Sequence, residues 1–489
     1  MLMLSVPYQS PAENFGGAFS LSELHVRIKL SNFAHHPTAP QAPFQKTMKH
    51  YSYGQIWKIA YPVLISVLME QLVGMTDTAF LGRVGEVELG ASALGSIFYI
   101  TIFMLGLGLG TGSQIIMGRR NGEGNLLEVG NVFYHSLLLL LGIAALLFGF
   151  IRFGSAGILH SIISSPDVYA AAMDYLNWRV YGFFFAFVAI MFRAFYVATT
   201  NTKTLTLNSI LMVTSNIFFN YILIFGKFGC PAMGIAGAAL GSVLAEAVSM
   251  IFFIVNTRFK LDYKKYGLHL RPTFCSKLFG RVFSLSVWTM LQNFLSLGTW
   301  FLFFLAVEHL GERELAATNI IRNVSSFFFM TINSIATTTS TLVSNLMGQG
   351  EADSVIPLVK RSTKLAFYIV IPMMILVALI PESVLRIYTN EPQLVAAGIG
   401  SLYVLLTSYL LTVPTRILLC TVMGTGNTRR ALWIETLSLS IYTLFIVVAI
   451  FYLRASLPVC WLSEHVYHVP ALLLCWTYLR KGTWRYKTV

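Results

Sequence analysis

Charge is what this chain has least of. Only 11% of its 489 residues are Asp, Glu, Lys or Arg, where a soluble domain carries roughly 25%. With 56% hydrophobic residues and a mean hydropathy of +0.68, the composition excludes an ordinary soluble fold. Cysteine is scarce too: Cys230, Cys275, Cys420, Cys460 and Cys475 are scattered without a CxxC or CxxH pair, which argues against a disulfide framework or a zinc site and leaves packing as their role. Residues 1–47 lack the apolar core of a signal peptide, hydrophobic periodicity and, despite His35-His36, a metal-ligand pattern. They read as an unstructured extension, or as a stretch ahead of a true start at Met48. His135, His160, His309, His465 and His468 form no acid–histidine motif at one membrane face, so an integral membrane transferase is disfavoured.

What the chain has instead is an internal repeat. GEVELGASAL at 85–94 returns as GERELAATNI at 311–320, an offset of 226. The same offset carries Pro166 onto Pro392 and Asn201-Thr202 onto Asn427-Thr428, and a register two residues longer matches NGEGN (121–125) to QGEAD (349–353). Duplicated halves in so apolar a chain are the mark of transporters whose halves rock about a shared path; a transferase has no need of them, and a purely structural membrane protein would not bury unpaired carboxylates.

Spans need roughly 20 apolar residues. Twelve such stretches occur, near 56–81, 89–118, 130–151, 170–198, 204–226, 233–256, 282–307, 315–346, 363–381, 394–424, 431–453 and 457–479. The fold class expected is all-α integral membrane, with two pseudo-twofold-related six-helix lobes: an N-lobe at 48–257 and a C-lobe with tail at 282–489. A linker at 258–281 joins them, either as a solvated tether or as amphipathic pieces on the membrane surface.

The net charge of +13 is a topology signal rather than a nucleic-acid footprint. From Lys46 onward, 22 basic residues fall in loops of one face and six in loops of the other, so the positive-inside rule puts both termini and the linker in the cytoplasm.

A carboxylate within a span costs about 3 kcal/mol on insertion scales, so each one is a functional candidate. Glu70 and Asp77 lie seven apart on the first span and share a face, and Asn216 and Asn220 lie four apart on the fifth. Asn220 stands at the depth of Asp77. Carboxylate and carboxamide oxygens suit a hard monovalent cation such as sodium, and a half-buried carboxylate can equally take a proton; the residues leave both ions open, and helix-to-helix glue is the bland alternative. Glu246 in span six and Glu435 in span eleven are secondary coupling candidates, the latter with Arg416 at similar depth as an ion-pair partner. Pro62 removes a backbone hydrogen bond from the first span and marks a bending point. Gly106, Gly108, Gly110 and Gly112 read as close helix packing. Aromatic runs at 181–187 and 325–330 suit either a pocket for flat cations or ordinary packing.

These residues carry a family resemblance. Pro62 followed by MTDTAFLGRVG (75–85), SNIFFNYILIFGKFG (215–229) with CPAMGIAGAALGS after it, MGTGNTR (423–429) and WLSEHVY (461–467) together resemble the multidrug and toxic compound extrusion (MATE) transporters over residues 50–487. The resemblance implies export of cationic or amphipathic organic compounds in exchange for sodium ions or protons, by a monomer in the cell inner membrane, with membrane lipid around it, no enzymatic activity and no cofactor. It places Asp77 on the family's first-helix aspartate and Asn216 on the asparagine beside it. Asn220 stands where some members have aspartate, and SVWTMLQNFLSLGTW (286–300) offers Gln292 and Asn293 where many have a glutamate. Coupling is therefore expected in the N-lobe, on Asp77, Glu70, Asn216 and Asn220. A flippase for a lipid-linked sugar or phospholipid is the competing reading.

Overall fold

The computed structural model describes residues 51–163, 165–269 and 274–487; the extension at 1–47 lies outside them. The described chain is helical, with no strand among its elements. Its first half contains α1 (Tyr53–Leu81), α2 (Glu86–Gly122), α3 (Leu126–Ile162), α4 (Pro166–Arg179), α5 (Gly182–Ala198), α6 (Lys203–Phe225) and α7 (Gly234–Lys260). The second contains α8 (Ser276–Glu308), α9 (Glu312–Gly348), α10 (Val355–Leu379), a short α11 (Pro381–Arg386), α12 (Pro392–Gly424), α13 (Thr428–Ile446) with a π-helical continuation to Tyr452, a short α14 (Leu457–Trp461) and α15 (Ser463–Lys481).

The repeat is visible in the backbone. Helices α2 and α9 are both 37 residues long and begin and end 226 positions apart. Prolines in the first turn start α4 and α12, and α5 and α12 finish at Ala198 and Gly424, again 226 apart. One tertiary hydrogen bond is made twice: Thr202 Oγ1 donates to the Ile59 carbonyl at 3.0 Å, and Thr428 Oγ1 donates to the Leu285 carbonyl at 2.9 Å. Each lobe has its own apolar core, and each lends the start of its first helix to the other: Ile56 of α1 packs in the C-lobe core and its repeat mate Val282 of α8 in the N-lobe core.

Two helices depart from simple span expectations. Nine helices are long and apolar enough to cross a membrane, and α4 with α5, bent by 50° at their junction, make a tenth. Helix α9 falls short because its inner half is rich in buried Ser and Thr, among them Thr338, Thr339, Ser340, Thr341 and Ser344, which lie against protein rather than lipid. Helix α15 is interrupted in character by Ser463, Glu464, His465 and His468. The helices also outrun the apolar stretches; α3 reaches Ile162 because polar membrane-surface residues extend a span without breaking its backbone pattern. Between α7 and α8 the linker docks on the N-lobe: Tyr134 Oη donates to the Leu268 carbonyl and the Cys275 amide donates to His135 Nε2.

Hydrogen bonding between the lobes is confined to one half of the molecule's length, from mid-span to one end. We call that half the inner end, where the basic loops gather. Every described hydrogen bond between the lobes lies there: Thr289 Oγ1 to the Gly108 carbonyl (2.7 Å), Gln114 Nε2 to Thr341 Oγ1 (2.7 Å), Ser344 Oγ to the Ile115 carbonyl (2.6 Å), and Asn121 Nδ2 to Asn345 Oδ1 (2.6 Å) are the shortest. Helices α2 and α9 cross there so closely that a Cβ on Gly122 would stand 2.1 Å from the Asn345 carbonyl oxygen, and one on its repeat mate Gly348 would stand 2.2 Å from the Arg119 carbonyl oxygen. Only glycine permits that approach. Gly108 and Gly112 serve the same seam against α8, where Met290 and Ser286 sit.

Candidate functional site

Asp77 lies one turn before the outer end of α1, where the lobes make no described hydrogen bond to each other. Its side chain is anchored from α6 and α7. Asn220 Nδ2 donates to Asp77 Oδ1 at 2.6 Å and to Asn216 Oδ1 at 3.2 Å. Ser242 Oγ donates to Asp77 Oδ2 at 3.1 Å while accepting from Asn216 Nδ2 at 3.1 Å. Asn216 and Asn220 are fully buried, while Asp77 is half-buried. Asn216 and Asn220 share a face of α6 by their four-residue spacing, and Gly241 on α7 leaves room for Asn220, whose Oδ1 would lie 2.2 Å from any Cβ there.

The described donors in this cluster bond one another, and one acceptor is left over. Asn220 Oδ1 is buried without a partner, and no basic side chain forms an ion pair with Asp77 among the described residues. A buried carbonyl-type oxygen with no donor costs about 1–3 kcal/mol. Carboxylate, carboxamide and hydroxyl oxygens with spare lone pairs are a donor set for a hard cation or for a proton on the carboxylate.

The other expected residues lie elsewhere. Glu70 is an ion-pair partner of Arg193 on α5, with 42% of its side chain exposed, and it makes no described hydrogen bond to the Asp77 cluster. Glu246 is held bidentately by Arg179 at 2.9 and 2.5 Å, and the Arg179 guanidinium lies 4.2 Å over the Tyr99 ring. That pair fills the α4–α5 bend, where a Cβ on Gly182 would collide with both partners. Pro62 is buried inside α1, which continues through it as one helix. Glu435 is buried in the C-lobe, accepting from Ser296 Oγ at 2.7 Å, with its Oε2 unpartnered. The ion pair with Arg416 is not formed: Arg416 Nη2 donates to Asn333 Oδ1 instead, at 2.9 Å. The aromatic runs divide: Phe183, Phe187 and Phe328 are buried, Phe183 stacking on Tyr99 and Phe328 on Tyr409, whereas Tyr181, Phe327 and Phe329 are exposed.

Sequence reasoning overlooked Ser242 and Arg179. Ser242 sits four residues before Glu246 on α7, so the spacing that put two asparagines on one face would have flagged it. Arg179 is an intramembrane cation of the kind that deserves a partner search, but its partner is 67 residues away.

Comparison with known proteins agrees with this architecture. The MatE family model matches residues 62–222 and 289–449, one block per lobe. The probable multidrug resistance protein NorM of Thermotoga maritima is 24% identical over 343 residues, covering 70% of this chain and 73% of that protein. Among solved structures, a multidrug resistance MATE family transporter of the MOP superfamily in an outward-facing conformation matches with a TM-score of 0.81 at 18% identity, over 89% of this chain and 97% of the other. A MOP superfamily transporter from Pyrococcus furiosus matches with a TM-score of 0.80 at 19% identity, with the same coverage. With a family match in each half and the twelve-helix, two-lobe fold, the chain belongs to the MatE family of multi-pass membrane efflux transporters.

Proposed function

We propose that this protein is a secondary antiporter that exports cationic or amphipathic organic compounds in exchange for sodium ions or protons, working as a monomer in the cell inner membrane with both termini in the cytoplasm. The N-lobe, linker and C-lobe divide at 48–257, 258–281 and 282–489. The observation that carries the reading is the oxygen cluster of Asp77, Asn216, Asn220 and Ser242, with its orphaned acceptor, at the end of the molecule where the lobes are not bonded together. The basic loops support a cytoplasmic position for the bonded end, and with it an outward-open state for this arrangement of the lobes. The relatives named for multidrug resistance support the substrate class.

The proposed cycle follows from differential binding. A ligand moves a two-state equilibrium only as far as its affinities for the two states differ. A cation entering from outside meets Asp77, removes the unpaired charge and gives Asn220 Oδ1 a partner. That relaxes the constraint holding α1, α6 and α7 in their outward arrangement and favours displacement of the organic compound. Return of the lobes then breaks the inner seam and reloads the path from the cytoplasm. Glu246, neutralised by Arg179, supports the helix bend, and Glu70 with Arg193 lines the exposed flank.

The test is efflux of a fluorescent organic cation from proteoliposomes under an imposed sodium or proton gradient. Faster efflux under one of the two gradients identifies the coupling ion. Efflux indifferent to both would overturn the antiporter reading.

A further inference from the structure

At the inner end, the two lobes and the C-terminal segment line an open cavity of about 850 Å³ whose walls include Arg119, Arg120, Arg281, Arg429, Arg485 and Lys487. Loop cations that set topology are ordinarily spread over a solvated face. These converge on a hollow. Its one acidic lining residue, Glu123, is engaged by Arg120 at 2.7 Å, and Arg485 pairs outward with Asp353 at 3.1 Å. Arg119, Arg281, Arg429 and Lys487 form no ion pair among the described residues.

Arg119 is the informative member. It is only 5% exposed; its Nη2 donates to the carbonyls of Thr425 (3.1 Å) and Lys487 (3.0 Å), while its Nε is buried with no partner. A guanidinium buried to this degree is ordinarily neutralised by a carboxylate or a phosphate. Arg429 lies 5.5 Å over the Trp288 ring, which holds its fork at the cavity wall, and the Asn427 and Thr428 side chains add polar lining. Several guanidinium groups facing one hollow match the oxygens of a multiply charged phosphate.

We propose that this cavity binds a polyphosphorylated anion, either the headgroup of a phosphorylated lipid or a free polyphosphate. Because Arg119 belongs to α2 of the N-lobe, Arg281 to the start of α8 and Arg429 to α13 of the C-lobe, the anion bridges the lobes and holds the inner seam shut. The regulatory half of this proposal rests on the alternating-access reading above; the binding half does not.

The experiment uses the full chain in neutral-lipid nanodiscs, titrated with inorganic triphosphate, and in a parallel arm nanodiscs with and without phosphatidylinositol bisphosphate, followed by thermal stability. The comparison variant is R281Q/R429Q, which leaves the Arg119 bonds of the seam in place. Binding in the triphosphate arm points to a soluble anion, and stabilisation in the lipid arm alone points to a headgroup. In either case the double variant should bind about tenfold more weakly or worse, having lost two charge-assisted contacts. No effect in either arm, or equal binding by the variant, overturns the site. Spin-label distances across the seam should shorten or narrow with ligand, and no change in them overturns the bridging role. Neither readout uses transport, so failed gradient-driven efflux with binding intact would count against the antiporter alone.

Discussion

The two lobes share a backbone and differ in what they do with it. At the positions 226 residues beyond Asp77, Asn216, Asn220 and Ser242, the C-lobe has Phe303, Tyr442, Ile446 and His468. Where the N-lobe gathers oxygens, the C-lobe packs rings: Phe303 is buried against Trp461, with centroids 5.3 Å apart, and faces Tyr442 at 6.4 Å. The buried ion pair of Arg179 and Glu246 has leucines, Leu405 and Leu472, at its repeat positions. The C-lobe places its own buried carboxylate, Glu435, at the repeat position of Ser209, which in the N-lobe merely bonds Ser66. Ser209 lies eleven residues inward of Asn220 along its helix, roughly 16 Å by helical rise, so Glu435 sits toward the sealed end. Duplication preserved the fold, seen in the twin bonds from Thr202 and Thr428, while the chemistry diverged residue by residue.

The largest expected break in this comparison comes from Asp77→Asn. It should remove ion-driven efflux, a loss of coupling of about 5- to 150-fold, measured as the ratio of initial efflux rates with and without the gradient. Next is Arg179→Gln, which strands Glu246 and should cost about 3–5 kcal/mol of stability, with most of it recovered in the double change to leucine that copies the C-lobe. Thermal unfolding in detergent checks this, and a double variant as unstable as the single would show that the pair has a role beyond charge balance.

The inner seam offers a symmetric test. Gly122→Leu and Gly348→Leu each force a side chain into the backbone of the partner helix, and each should cost about 1–3 kcal/mol of inner closure. Spin-label distances across the inner end should lengthen equally in the two variants; an effect in only one would show that the crossing is not symmetric in energy. The smallest effects belong to Thr202→Val and Thr428→Val, about 1 kcal/mol each and alike in both lobes, again by thermal unfolding.

Sequence alone revealed what recurs at fixed spacing. The repeat pointed to two matched spans, 89–118 and 315–346, which fall inside the equally long α2 and α9, and the four-residue spacing of Asn216 and Asn220 placed them on one face before any contact was known. Pairings set by three-dimensional packing were not legible: Glu70 meets Arg193 from 123 residues away and Glu246 meets Arg179 across the helix bend. Ser242 joins Asp77 only because α7 packs beside α6 and α1. Hydropathy underrated α9 because many of its seryl and threonyl groups are buried against protein, some bonding within their own helix or to the opposite lobe, as Thr339 and Ser344 do, so polar composition there reports helix packing rather than exposure.

The central claim is that the N-lobe alone carries coupling. Its most direct test sets Asp77→Asn against Glu435→Gln in the same proteoliposomes, following gradient-dependent efflux. The account predicts that the first change abolishes the dependence and the second leaves it within about twofold of wild type, a difference under 0.5 kcal/mol. Loss of the dependence in Glu435→Gln with its retention in Asp77→Asn would contradict the account and move the coupling site into the C-lobe.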